Sequence, residues 1–147
     1  MLDVAEAIRA EVDRVSAAFR TWTDADVSKS RGAGKWNRKE ILGHLIDSAA
    51  NNHQRFVRAQ SSDPLVLPGY DQVAWVEANA YDSRAWSELV ELWAALNRHL
   101  AAAVERVPAA KLGTICAIGD QEPKPLEWWI RDYVRHMKHH IEQIERG

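Results

Sequence analysis

Six of the 147 residues are histidine, and three of them, His136, His139 and His140, fall within five consecutive positions. On a helix turning about 100° per residue, His136 and His140 project from one face a single turn apart. That spacing lets two imidazoles hold one metal ion. His139 points toward a flank of the same helix. Catalytic sites of the zinc type take three protein ligands and keep one position open, so a third ligand must come from another helix. Two histidines compete for that place. His44 shares its face with Asp47, Ser48 and Asn51, a polar stripe beside Ile41 and Leu45, and polar groups inside a bundle need partners. His99 falls close to the Leu92/Leu96 stripe, where a lone histidine more often serves as a hydrogen-bonded core residue. His53 is nine residues from His44, about 180° around the helix, and is expected at the surface.

Other motifs that could carry chemistry are weaker. Gly32-Ala33-Gly34-Lys35 lacks the first glycine of a phosphate loop, and Trp36 stands where a magnesium-binding Ser or Thr would be needed. Cys116 is the only cysteine, which excludes an internal disulfide and a cysteine-rich zinc site. The seven tryptophans read as large anchors of a core.

The elements that must position the histidines are helical. Val4, Ile8, Val12, Val15, Phe19 and Trp22 recur at steps of three and four, which predicts a first helix over 2–20. Residues 28–34 read as a loop. Asn37 with Glu40 three residues on forms a capping-box signature, opening a second helix that runs to about Arg58. The connection from Asp63 to Tyr81 is long and holds two prolines, with a short helix expected at 71–78. A third helix spans about 83–107 and stops at Pro108. Residues 109–123 read as loop with at most a local hairpin, and Pro125 opens a fourth helix to about Glu145. Four long helices without a convincing strand pattern predict an all-α, antiparallel four-helix bundle in one domain, 1–147. The long connection between the second and third helices makes a simple up-down-up-down order less certain.

Composition narrows the function. The chain is 46% apolar and 27% charged, with 19 basic against 21 acidic residues for a net charge of −2. This is a globular composition without the strongly basic face expected of a nucleic-acid binder. No run of about 18 apolar residues predicts a membrane span. Acids near the N-terminus argue against a signal peptide, and the single cysteine makes the cytoplasm the expected compartment.

Trp36-Asn37-Arg38-Lys39-Glu40-Ile41-Leu42-Gly43-His44-Leu45-Ile46-Asp47-Ser48, continuing through Asn51 to Arg55-Phe56, resembles the second-helix signature of the DinB/YfiT-like superfamily. His136 to Ile144 resembles its fourth-helix signature. Pro68-Gly69-Tyr70-Asp71 and Ala74-Trp75 resemble the segment joining helices 2 and 3 in the YfiT-like branch. The resemblance implies a four-helix bundle with one divalent metal held by His44, His136 and His140, leaving His99 a core or surface residue. It also implies homodimers, and relatives include transferases that use low-molecular-weight thiols. The leading expectation is therefore a metal-dependent thiol S-transferase acting on an electrophilic small molecule. Zinc or nickel is the favoured ion, with iron or copper also suited to three imidazoles. In this reading Asp47 and Asn51 orient a ligand or touch substrate, Arg55 or Arg58 meets the thiol's carboxylates, and Tyr70, Asp71 and Trp75 wall the pocket. The alternatives are a metal-dependent hydrolase using a metal-bound water and a non-catalytic metal-binding stress protein.

Overall fold

A computed structural model describes all residues, 1–147. Helix α1 (Leu2–Phe19) buries Val4, Ile8, Val12, Val15 and Phe19, the predicted stripe. A single extra turn, α2 (Asp24–Val27), follows it; Thr23 and Asp26 cap that turn reciprocally. Helix α3 (Arg38–Arg58) opens on the expected capping box. The Asn37 side chain accepts from the Glu40 N–H at 3.0 Å, and the Glu40 carboxylate accepts from the Asn37 N–H at 2.8 Å. Helix α4 (Gln72–Asn79) is the short helix of the long connection, capped by the Asp71 carboxylate on the N–H groups of Val73 and Ala74. Helix α5 (Trp86–Glu105) begins three residues later than its periodicity suggests. Tyr81–Ser83 forms a separate 3₁₀ turn, and Arg84 and Ala85 are extended. Helix α6 (Leu126–Arg146) completes the bundle.

Cross-helix contacts fix the directions. Arg9 pairs with Glu105, Arg98 with Asp13 and Arg20 with Glu91, so α1 and α5 are antiparallel. Arg131–Asp3 and Arg14–Glu145 make α1 and α6 parallel. His53 lies on His99, and the Lys39 ammonium donates to the Arg84 carbonyl, so α3 and α5 run the same way. Arg38 reaches the Ile144 carbonyl while Arg55 lies over Trp129, so α3 and α6 are antiparallel. The long helices therefore run up, down, down, up. This order follows from the connection 59–85, in which α4 returns along α3 and lets α5 start beside the start of α3. The four-helix bundle is the expected one, and neighbours are antiparallel only at two of its four seams.

Three short strands lie at the end of the bundle where α3 and α5 finish and α6 starts. The strand β1 (Leu65–Leu67) pairs in parallel with β2 (Ile115–Ile118), placing Leu65 opposite Cys116. Strand β3 (Lys124–Pro125) pairs antiparallel with β2. The hairpin lies where one was allowed for. The parallel pairing with β1 lies in the long connection, for which the sequence predicts a short helix at 71–78 and no strand. Three apolar residues leave no length for alternation to show. One core of 35 buried residues runs through all four long helices and into the strands.

Candidate metal centre

Helix α3 carries a buried polar column. His44, Asp47, Ser48, Asn52 and Arg55 are all buried; Asp47 and Ser48 lie three and four residues after His44, Asn52 four after Ser48 and Arg55 three after Asn52, which keeps them on one face. Helix α6 sets Trp129, Tyr133, His136 and His140 on one face by the same rule. Where the two columns meet, ring nitrogens of His44, His136 and His140 all lie within 4.8 Å of one another. His44 Nε2 and His136 Nε2 face each other at 3.3 Å. Two nitrogens each bound to one tetrahedral ion at about 2.0–2.1 Å lie roughly 3.3 Å apart, so these residues fit a metal ion.

The electrostatics agree. Burial, reinforced by the charges His140 and His136 would carry, depresses the His44 imidazole to about 3. Burial, then His140, depresses His136 to about 4. Burial also lowers His140, opposed by the hydrogen bond its ring donates to Gln143. All three imidazoles are held neutral, the form that ligates a metal. His140 Nδ1 is 2.9 Å from Gln143 Oε1, an arrangement in which the ring donates and leaves Nε2 free for an ion. The Gln143 amide in turn meets His139 Nε2 at 3.2 Å. The Trp36 ring covers His44 with centroids 5.2 Å apart.

The competing histidines lie elsewhere. His99 is exposed, and its ring meets that of His53 at a tilt of 46° with centroids 4.6 Å apart at the α3–α5 seam. His53 is half-buried there rather than fully at the surface. His139 is exposed, as its flank position suggests.

A cavity of about 250 Å³ opens on His136 and is lined also by Ser48, Arg55, Tyr70, Trp129 and Asp132. A second cavity, about 440 Å³, shares Arg55, Gly69 and Tyr70 with the first and extends to Asn51, Arg58 and Trp75. Five of the expected site residues, Asn51, Arg55, Arg58, Tyr70 and Trp75, therefore gather along one path. Asp71 is committed to capping α4. Asp47 is turned to different partners. Its Oδ1 accepts from the Tyr81 hydroxyl at 2.6 Å and from Asn79 at 3.1 Å, tying α3 to the segment that returns along it. Burial raises the Asp47 carboxyl against the opposing Tyr81 bond. Asn51 donates to the Asp47 carbonyl at 2.9 Å.

Two residues gain roles that the sequence reading did not give them. Asp132 lies one helical turn before His136 and lines the cavity, with Arg135 at 2.6 Å. Gln143 lies three residues after His140 and orients it. Both stand at the i−4 and i+3 places of a histidine pair, which is the signal that marks them.

Residues 7–144 match the model of the DinB superfamily. The chain belongs to that superfamily. It is similar to YfiT from Bacillus subtilis, whose structure is described as a probable metal-dependent hydrolase with an unusual four-helix bundle topology. That likeness has a TM-score of 0.81 at 23% identity and covers 99% of this chain and 82% of that one. The protein named "Putative metal-dependent hydrolase BH0277" from Halalkalibacterium halodurans is 22% identical over 91% of this chain and 78% of its own length. "Putative metal-dependent hydrolase OB0413" from Oceanobacillus iheyensis is 26% identical over 68 residues, and the match spans 39% of its length. No helix is long and apolar enough to cross a membrane.

Proposed function

We propose that this DinB-superfamily chain is a divalent-metal-dependent transferase that activates a low-molecular-weight thiol and joins it to an electrophilic small molecule. The observation that carries the reading is the three-imidazole cluster, whose His136 lines the first of two cavities that share Arg55, Gly69 and Tyr70. A divalent ion there, zinc or nickel by preference, would keep its full positive charge beside three neutral ligands and lower the pKa of a thiol placed against it. His44, His136 and His140 would hold the ion, and burial disfavours their cations and so keeps them in the ligating form. Gln143 fixes the His140 ring. Asp132 is the carboxylate beside His136 that can take the thiol's proton. The sulfur then forms its bond to the electrophilic carbon, and the leaving group departs with the bonding electron pair. Two cavities give the thiol and its acceptor separate room.

A second reading, metal-assisted hydrolysis, is favoured by the same Asp132, which could equally take a proton from water, and by the names of the two curated relatives. One assay separates them. Metal-loaded protein is given an alkyl halide or epoxide with and without cysteine-type thiols, and separately an ester and amide panel. Thiol consumption that requires metal supports transfer. Turnover without thiol replaces it with hydrolysis, and stoichiometric metal with neither activity replaces both with a binding role.

A further inference from the structure

Arg55 is nine-tenths buried, and its cation has no counter-ion. No carboxylate lies within ion-pair distance. Its one hydrogen bond to another side chain is a long 3.5 Å contact to the Asn52 amide oxygen. The guanidinium lies between the Tyr70 ring, 5.9 Å from its centroid, and the Trp129 ring, 5.7 Å away. These are distant cation–π contacts, and ring faces do not neutralise a charge. Asp132, the carboxylate of the cavity, pairs with Arg135 and not with Arg55. Burial pulls the Arg55 side chain toward its neutral form, yet an arginine stays charged in proteins. A buried, unpaired cation is costly unless something of opposite charge completes it. Arg55 lines both cavities, so its open side faces space that a ligand can enter.

We propose that Arg55 seats an oxyanion group, a carboxylate or a phosphate, of a molecule whose reacting part lies beside His136. The flat guanidinium fork matches such a group with two parallel hydrogen bonds. Tyr70 and Trp129 flank the guanidinium, and Ser48, Asn52 and Gln121 line the same cavity as further polar partners for such a group. Arg58, at the far cavity, favours a molecule that continues outward with more negative charge. The ligand class is thus an extended organic anion, bound in the middle and reactive at one end. This rests on the metal-activated nucleophile proposed above, because that reading sets which end reacts.

The test is binding, followed by tryptophan fluorescence or calorimetry on the full zinc-loaded chain. The probes are 3-mercaptopropionate, its uncharged amide 3-mercaptopropionamide, and inorganic phosphate. The acid is expected to bind at least tenfold tighter than the amide. Arg55→Met is expected to erase that preference, and Arg55→Lys to keep part of it. His136→Ala is expected to weaken both thiols together and to preserve the ratio. Phosphate competing with the acid only when Arg55 is present also supports the seat, and the two affinities tell which oxyanion it prefers. Equal binding of acid and amide by the wild-type chain overturns the proposal. So does a preference that survives Arg55→Met and vanishes in His136→Ala, since the metal would then be the carboxylate's partner. An Arg55-dependent preference without any turnover sinks the transferase reading alone. Metal-dependent turnover without the preference sinks this one alone.

Discussion

At the residue scale, the unusual feature is that three ionisable rings share a site in which none is readily charged. His44 and His136 sit at about 3 and 4, against an ordinary imidazole near 6.5, because burial penalises the cation. Between those values and 6.5 the unfolded chain binds protons that the folded chain refuses. Stability therefore rises with pH through that window and levels off above it. Urea midpoints of the metal-free protein should climb from pH 4.5 to pH 6.5 and change little to pH 7.5. In a His44→Leu/His136→Leu variant the climb should shrink. Metal binding has its own residue-level prediction. His44→Ala, His136→Ala and His140→Ala should each lower zinc affinity at least a hundredfold by calorimetry, with His53→Ala and His99→Ala near wild type. Gln143→Leu should cost roughly 10–100-fold, since it removes the group that fixes a ligand ring while leaving the ligand. Loss of zinc in His53→Ala with retention in His44→Ala would refute the assignment.

At the element scale, the site depends on how the return segment seats against α3. Gly43 precedes His44, and a Cβ there would fall 2.0 Å from Tyr81 Cδ2. The missing side chain is what lets Tyr81 lie flat on α3 and reach Asp47 with its hydroxyl. Ala80 adopts the left-handed conformation, φ 49°, and turns the chain from α4 into the segment carrying Tyr81. Gly43→Ala should destabilise by about 1–3 kcal/mol through overpacking, although alanine is the better helix former. Chemical denaturation checks this; a stabilised variant would mean that Tyr81 is free to move aside. Ala80→Gly should act in the opposite direction, gaining up to about 1 kcal/mol by relieving the left-handed strain.

At the scale of the whole molecule, an ion at the cluster would join α3 to α6, helices that meet antiparallel and come from distant parts of the chain. Such an ion binds only the folded state, so it stabilises by mass action. Free zinc at a hundred times its dissociation constant should add about 2.7 kcal/mol, visible as a rise of roughly 5–10 °C in the melting temperature. A His44→Ala/His136→Ala/His140→Ala variant should show no rise. The up-down-down-up order also explains why the cavities lie where they do. The crossover 59–85 carries Tyr70 and Trp75 to the side of α3 that bears Arg55, and Tyr70 also lines the cavity that α3 and α6 share.

The sequence by itself made the four long helices, the Asn37 cap and the histidine pair legible, because each depends on residues within a turn or two of one another; the α2 turn and the Asp71 cap were not legible there. The capping box at Asn37 and Glu40 and the His136/His140 spacing are local facts. It also separated His44 from His53, since one helical wheel suffices for that. His44 against His99 was undecided by periodicity and needed the family resemblance, because each is a lone histidine on its own helix. The remaining features depend on contacts between segments far apart in the chain. The pairing of β1 with β2 joins segments about 50 residues apart, through strands too short to carry a pattern. Helix direction was set by the crossover, whose path α4 and Ala80 determine. Asp47 read as a site residue because it shares a face with His44, but the fold brings Tyr81 and Asn79 to it. Arg55 and Arg58 read alike as partners for a carboxylate, and only the packing of α6 and Tyr70 around Arg55 tells the two apart. Burial and pairing are properties of what another segment brings to a residue, and a chain read one helix at a time does not contain them.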